Sequence, residues 1–274
     1  MKSAWKVFKE QISSFYLIRR LSLYELKSEN NNNYLGMSWV IINPLIQILI
    51  YWLVFGFILE RKAVLESGYD IPYVIWLMAG IIVWFFLQPA VVQGSSSIYQ
   101  RIRFIAKMNF PMSAIPSYVI FEKFYQNLML TAVIFVILQF TPYKVSPYIL
   151  QLPYFMFAAF AFLLAVSLIS STLSTIVRDF HQILISIMRM MFYLTPILWP
   201  TSLLDTKAPT LAKLMLLNPM YYLVEGYRSS LLGLSWYGVA HFKYTLYFWG
   251  FVLITFAIGS VMHLKFRDHF VDYL

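Results

Sequence analysis

Blocks of roughly twenty apolar residues recur along the chain, and no other feature limits its folding so tightly. A helix rising about 1.5 Å per residue needs that length to cross a hydrocarbon core about 30 Å thick. With 60% of its residues hydrophobic and 12% charged, the chain has more apolar surface than a soluble domain hides; soluble chains average about 45–50% apolar and about 25% charged. Lipid is therefore the expected solvent. The aromatic share of 19% fits rings gathered at the membrane interfaces.

The blocks predict an all-α polytopic fold with six spans, near residues 38–59, 72–92, 115–140, 150–173, 183–198 and 244–264. Residues 1–33 read as a separate interfacial segment ahead of a membrane domain at 34–274. Between Ala4 and Leu26, Trp5, Phe8, Ile12, Phe15 and Tyr16 recur at helical spacing among Lys6, Lys9 and Glu10. That is the pattern of an amphipathic helix lying in the membrane interface. The charged start, with no uninterrupted apolar core and small-residue cleavage site after it, is not that of a secretory signal, so the segment is expected to stay on the mature protein. The asparagines from Asn30 to Asn33 favour a turn after it.

An even number of spans puts both termini on one side of the membrane. Lys2, Lys6, Lys9, Arg19, Arg20 and Lys27 flank the first span; Arg101, Arg103, Lys107, Arg178, Lys265 and Arg267 fall on the same side. The short loops opposite hold Arg61, Lys62 and Lys144, and four more cations fall between the fifth and sixth spans. The positive-inside rule therefore places both termini in the cytoplasm. Pro200 to Lys243 is too long for a turn, and its apolar runs are too short to span; a re-entrant outer hairpin near 209–233, broken at Asn218-Pro219, is expected.

Catalysis finds no footing. There is no phosphate loop of the type G-x-x-x-x-G-K-[ST], no H-E-x-x-H and no G-x-S-x-G, and His181, His241, His263 and His269 lack ligand spacing. The absence of cysteine removes disulfides, thiolate zinc sites and thiol nucleophiles. A net charge of +9 without a basic stripe interleaved with stacking aromatics argues for membrane contact rather than nucleic acid. No cofactor or metal is expected on this chain.

Several polar groups remain. Ser97 to Pro111 reads as either a short amphipathic helix that docks a soluble partner or a row of membrane anchors. Arg178-Asp179 is either a docking turn or a helix cap with a solvated ion pair. Glu122, Lys123 and Arg189 lie inside predicted spans, where an ionisable group costs about 2.5–3.5 kcal/mol by insertion scales and so pairs or faces water. Glu122 and Arg189 are each about two turns from the cytoplasmic end, which suggests an intramembrane pair; snorkelling to the interface is the alternative. Trp52, Trp76, Trp84, Phe85 and Phe86 either line a path for sugar rings or pack against lipid and other helices.

Taken in order, Gly36-x-x-Trp39, Asn43-Pro44, Val54-Phe55-Gly56, Gly80 with Trp84 and Phe86, Lys107, Phe110-Pro111, Arg178-Asp179-Phe180, Asn218-Pro219 and Glu225-Gly226-Tyr227-Arg228 resemble the permease subunits of ABC exporters for O-antigen, capsule and teichoic acid. The runs from Tyr16 to Gly36 and from Asn218 to Gly233 are most similar to wall teichoic acid translocation permeases. The resemblance implies two copies of this permease, two copies of a separate ATPase that uses ATP and Mg, and a polymer carried on an undecaprenyl pyrophosphate-type lipid. It also implies that Arg101, Arg103, Phe104, Lys107, Arg178 and Asp179 couple to the ATPase. Arg19, Arg20 and Lys27 then stand where they would attract pyrophosphate, and Trp76, Trp84 and Phe85 where they would line the path. Rival readings are an exporter of a drug or lipid, a membrane transferase acting on lipid-linked intermediates, and a channel with no energy source.

Overall fold

The computed structural model describes residues 2–31, 34–60, 63–66, 69–105, 110–144, 146–202, 209–267 and 270. Two helices open the chain, α1 at Lys2–Ser13 and α2 at Phe15–Asn30. Each buries few residues: Val7 on α1, and Ile18, Ser22 and Leu26 on α2, at the spacing of one helical face. Packing of α2 is against α5, Ala114–Gln139, while α1 lies on α11, Phe242–Phe266. Polar contacts fix α1 in place: Gln11 Nε2 donates to the Ser113 carbonyl at 2.8 Å, and Glu10 accepts from Ser113 Oγ and from Arg267 Nη1, the latter at 3.0 Å.

A short 3-10 turn at Gly36–Ser38 leads into α3, Trp39–Tyr51, which continues as a widened π-helical stretch over Trp52–Ile58. Pro44 lies inside α3, where it removes one backbone donor and leaves a carbonyl without its helical partner. Only 6% of the most apolar part of this span is buried, against 78% for α4, Tyr73–Ile105. So α4 is the central post, packed by α5, by α6 at Leu152–Ile176, by α7 at Asp179–Leu194 and by α9 at Pro219–Leu232. Helix α8, Pro209–Met215, precedes α9, and α10, Tyr237–Ala240, follows it.

Three features depart from the expectation. The loop after the first span is a β-hairpin, with β1 at Ala63–Glu66 antiparallel to β2 at Tyr69–Pro72 and Val64 opposite Ile71; burial of these two apolar residues anchors the hairpin at the head of α4, so the fold is not purely helical. Helix α4 runs well past the expected end near residue 92 and reaches Ile105. Its polar Ser95, Ser96 and Ser97 are buried without breaking it because each hydroxyl donates to a carbonyl three residues back, at 2.7, 3.1 and 2.7 Å. Finally, α7 begins at Asp179 and stops at Leu194, because Thr195 turns extended (φ −74, ψ 134). At 16 residues it is about 24 Å long. Among the described residues, five helices are long and apolar enough to cross a membrane, and α7 is not one of them.

Helix α9 shows how sequence sets local structure. Asn218 Oδ1 caps its start by accepting from Met220 N–H at 3.0 Å, Pro219 occupies the first turn where no donor is needed, and Gly233 closes the end in the left-handed conformation (φ 70). Every residue from Met220 to Leu232 is buried.

Candidate functional site

At the end of the bundle that carries α1 and α2, the extension of α4 meets the turn between α6 and α7. Arg101 Nη2 donates to Glu25 Oε1 on α2 at 2.6 Å, and its guanidinium lies 5.5 Å from the Tyr118 ring centre on α5. Six residues earlier, Ser95 Oγ sits 2.8 Å from His181 Nδ1, and the Tyr99 and His181 rings meet edge to face at 6.0 Å. Ser95 uses its proton on the Val92 carbonyl, so His181 Nδ1 must carry the hydrogen and donate. Desolvation lowers the His181 pKa below the usual 6.5, which keeps the ring neutral. Arg178 and Asp179, next to it, are exposed at the tip of the turn. The chain thus joins the α4 extension to the α6–α7 turn through His181, one of the four histidines that lack ligand spacing. Arg103 and Phe104 lie on the last turn of α4, and Lys107 falls outside the described residues.

Arg19, Arg20 and Lys27 are exposed along α2. The aromatic candidates separate. Trp76 and Trp84 are each 1% exposed: Trp76 lies beneath the Arg228 guanidinium at 3.7 Å and stacks on Tyr73 at 6.0 Å, while Trp84 donates to Gln88 Oε1 at 2.9 Å and packs on Phe192. Both rings are enclosed by protein, so neither presents a face to a path; Phe85 is half-buried and retains some surface.

Within the chain, the expected Glu122–Arg189 pair does not form. Glu122 is fully buried and accepts from Lys123 Nζ at 2.9 Å and from Gln126 Nε2 at 2.6 Å; Lys123 also reaches Glu29 on α2 at 3.3 Å. Adjacent helical residues ordinarily point apart, but the long lysine stem lets its ammonium turn back to its neighbour. Arg189 lies exposed on α7. It shares that face with Gln182 and Ser186, also exposed, at spacings of four and three residues. The pattern of apolar blocks does not single out Gln182 and Ser186; their signal in the sequence is the helical repeat they make with Arg189. Ile183, Ile187 and Met190 lie beside them in a shallow depression.

At the opposite end, α9 holds a buried ion pair. Arg228 Nη1 donates to Glu225 Oε1 three residues earlier and Nη2 to the Pro196 carbonyl at 3.2 Å, so the guanidinium joins α9, the segment after α7 and the Trp76 ring. Tyr227 Oη donates to Asn127 Oδ1 at 3.2 Å, and Asn127 donates to the Ile82 carbonyl at 3.1 Å, which ties α9 through α5 to α4.

Residues 16–232 match the profile of the ABC-2 type transporter family. The chain belongs to that family. Among curated relatives it is 25% identical over 260 residues to the O-antigen export system permease protein RfbA of Klebsiella pneumoniae, covering 92% of this chain and 93% of the relative. A protein of the same name from Myxococcus xanthus is 26% identical over 209 residues, 75% of this chain and 76% of its own length. The match to the ABC-2 family takes in α2 through α9, so both the α4–α7 junction and the Arg228 pair lie inside the shared architecture.

Proposed function

We propose that this chain is the membrane permease of an ATP-driven exporter that carries a lipid-linked envelope polysaccharide, with wall teichoic acid as the favoured cargo, across the cytoplasmic membrane. The observation that carries the reading is the face of α7 formed by Gln182, Ser186 and Arg189. A span cannot hold such a face against hydrocarbon without a cost of kilocalories per mole, so it belongs against water or protein. A second copy of the chain supplies both, with the pathway between the two copies. The thinly buried first span, α3 with its π-helical continuation, leaves a long apolar surface for the same contact or for lipid. The relatives' name, O-antigen export permease, supports a glycan cargo, and the resemblance of Tyr16 to Gly36 and Asn218 to Gly233 supports teichoic acid.

In this reading α7 completes six spans together with the residues that flank it, both termini are cytoplasmic, residues 1–33 lie at the interface, and α8 with α9 forms a re-entrant outer hairpin. The caps and buried packing of α9 satisfy the condition that irregular backbone at membrane depth be enclosed by protein. The chain itself is no enzyme: two ATPase subunits, using ATP and Mg, bind at the α4 extension and the Arg178-Asp179 turn. Nucleotide then acts by favouring one arrangement of the α4–α7 junction, since a ligand shifts an equilibrium only by its difference in affinity for the two states. Arg19, Arg20 and Lys27 attract the pyrophosphate of an undecaprenyl pyrophosphate-type carrier, at about 1 kcal/mol per cation near a charged surface.

The test is ATP hydrolysis and delivery of lipid-linked polymer by proteoliposomes holding this chain and its ATPase. The Arg178→Ala, Asp179→Ala variant is expected to lower turnover while the complex still assembles. Movement or modification of the lipid-linked substrate by the chain alone would overturn the reading.

A further inference from the structure

We infer that each copy of the chain has a pyranose-binding pocket between α9, α10 and the start of α11, separate from the α7 face. This cavity of about 470 Å³ lies at the end of the bundle opposite α1 and α2, and falls within the range of about 300–1,000 Å³ usual for small-ligand sites. Its walls are rings: Tyr244 and Tyr247 lie nearly parallel, 6.0 Å apart at 18°, Tyr221 stands 6.1 Å from Tyr244, and Tyr237 lies against His241 at 4.4 Å. Two of these phenols are held by backbone, Tyr244 Oη donating to the Asn218 carbonyl at 2.8 Å and Tyr247 Oη to the Leu217 carbonyl at 2.7 Å. Those rings are therefore fixed before any ligand arrives.

The polar groups in the pocket have a different standing. Tyr237 is 7% and Ser229 4% exposed, and neither side-chain hydroxyl has a hydrogen-bond partner among the described residues. Both line the cavity. Burial pushes the Tyr237 phenol up from its ordinary value, so it remains an O–H donor at neutral pH. Glu225 also lines the cavity, with its charge balanced by Arg228. Neither oxygen is sealed off: both open into the cavity, where water or a ligand hydroxyl can pair with them. Aromatic faces carrying negative quadrupole potential suit the C–H face of a sugar ring, and Tyr237 and Ser229 suit its hydroxyls. A lipid tail would leave both hydroxyls unpaired, and because the cation Lys243 also lines the cavity, an anion is the competing ligand that the test has to separate.

This inference rests on the export reading only for the source of the sugar, a unit of the emerging polymer. Binding is therefore tested on the purified permease in nanodiscs without ATPase or transport, by saturation-transfer NMR with D-glucose and N-acetyl-D-glucosamine, with glycerol 3-phosphate as an open-chain anionic control. Saturable millimolar binding of at least one pyranose is expected, weakened about three- to tenfold in both Tyr237→Phe and Ser229→Ala and lost in Tyr247→Ala, while the unfolding temperature of Tyr237→Phe stays within a degree or two of the parent. Absence of saturable pyranose binding, binding untouched by all three substitutions, or preference for glycerol 3-phosphate would each overturn the pocket. A failed export assay beside intact sugar binding would overturn the exporter reading alone.

Discussion

The Arg228 guanidinium lies over the Trp76 indole, 3.7 Å from the ring centre, while one of its nitrogens binds Glu225 and another the Pro196 carbonyl. Three chain segments, α4, α9 and the stretch after α7, are held by one cation. Removing the cation takes away the ion-pair partner of a largely buried carboxylate, and breaking one side of such a pair costs about 3–5 kcal/mol. Arg228→Ala is therefore expected to lose about that much stability in denaturant unfolding in detergent, and Arg228→Lys to recover only part, because an ammonium cannot bind two oxygens in a plane while covering a ring.

Gly80 provides a second check of the same contact. A methyl group there would run into the Arg228 guanidinium, so Gly80→Ala should destabilise the protein strongly and Gly80→Ala with Arg228→Ala should lose much less than the sum. Additive losses in the double-mutant cycle would show that the two residues do not touch.

Glu122 and Lys123 form a buried pair. Glu122→Gln and Lys123→Met should each destabilise, and the double change should recover about 0.5–3 kcal/mol of the summed loss. Glu122→Gln combined with Arg189→Gln should be additive, since Glu122 is held by Lys123 and Gln126 while Arg189 is exposed on α7. Coupling between Glu122 and Arg189 in unfolding measurements would instead locate a contact between copies.

The junction at His181 carries a pH dependence of known sign. Its folded pKa lies below the ordinary 6.5, so the neutral ring contributes stability at pH values above 6.5 that is lost as pH falls through the lower folded value. The unfolding temperature is expected to drop as pH falls from above 6.5 through the lower folded value, and His181→Asn should flatten that part of the slope. ATPase coupling measured over the same range should follow it.

Sidedness is open to direct test because the chain has no cysteine. Single cysteines at Phe140 and Trp236, both exposed, should react with an impermeant maleimide from outside, and one at Arg178 only from inside. Labelling of Arg178→Cys and Trp236→Cys from the same side would mean that α7 does not cross.

Helices α5 and α11 were legible because each is a long apolar run with turn or charged residues at both ends. The course of α4 past residue 92 was not, because Gly94 and three serines look like a break until each serine is seen donating to its own helix. Trp76 and Trp84 were legible as functional aromatics only by residue type; what encloses them comes from α9 and α7, far away in sequence. The same holds for Glu122, where the period of the helix argued against its immediate neighbour as partner. The polar face of α7 was legible in principle, from Gln182, Ser186 and Arg189 at spacings of four and three, but the isolated arginine drew attention away from the repeat.

The contact between Glu10 and Arg267, 257 positions apart, closes the chain into a ring. A push on the first helix does not have to travel through every span to reach the last; it arrives at the end of α11 at once, and through Ser113 at the start of α5. Whatever binds that end of the molecule therefore meets the first helix, the start of α5 and the end of α11 as one surface.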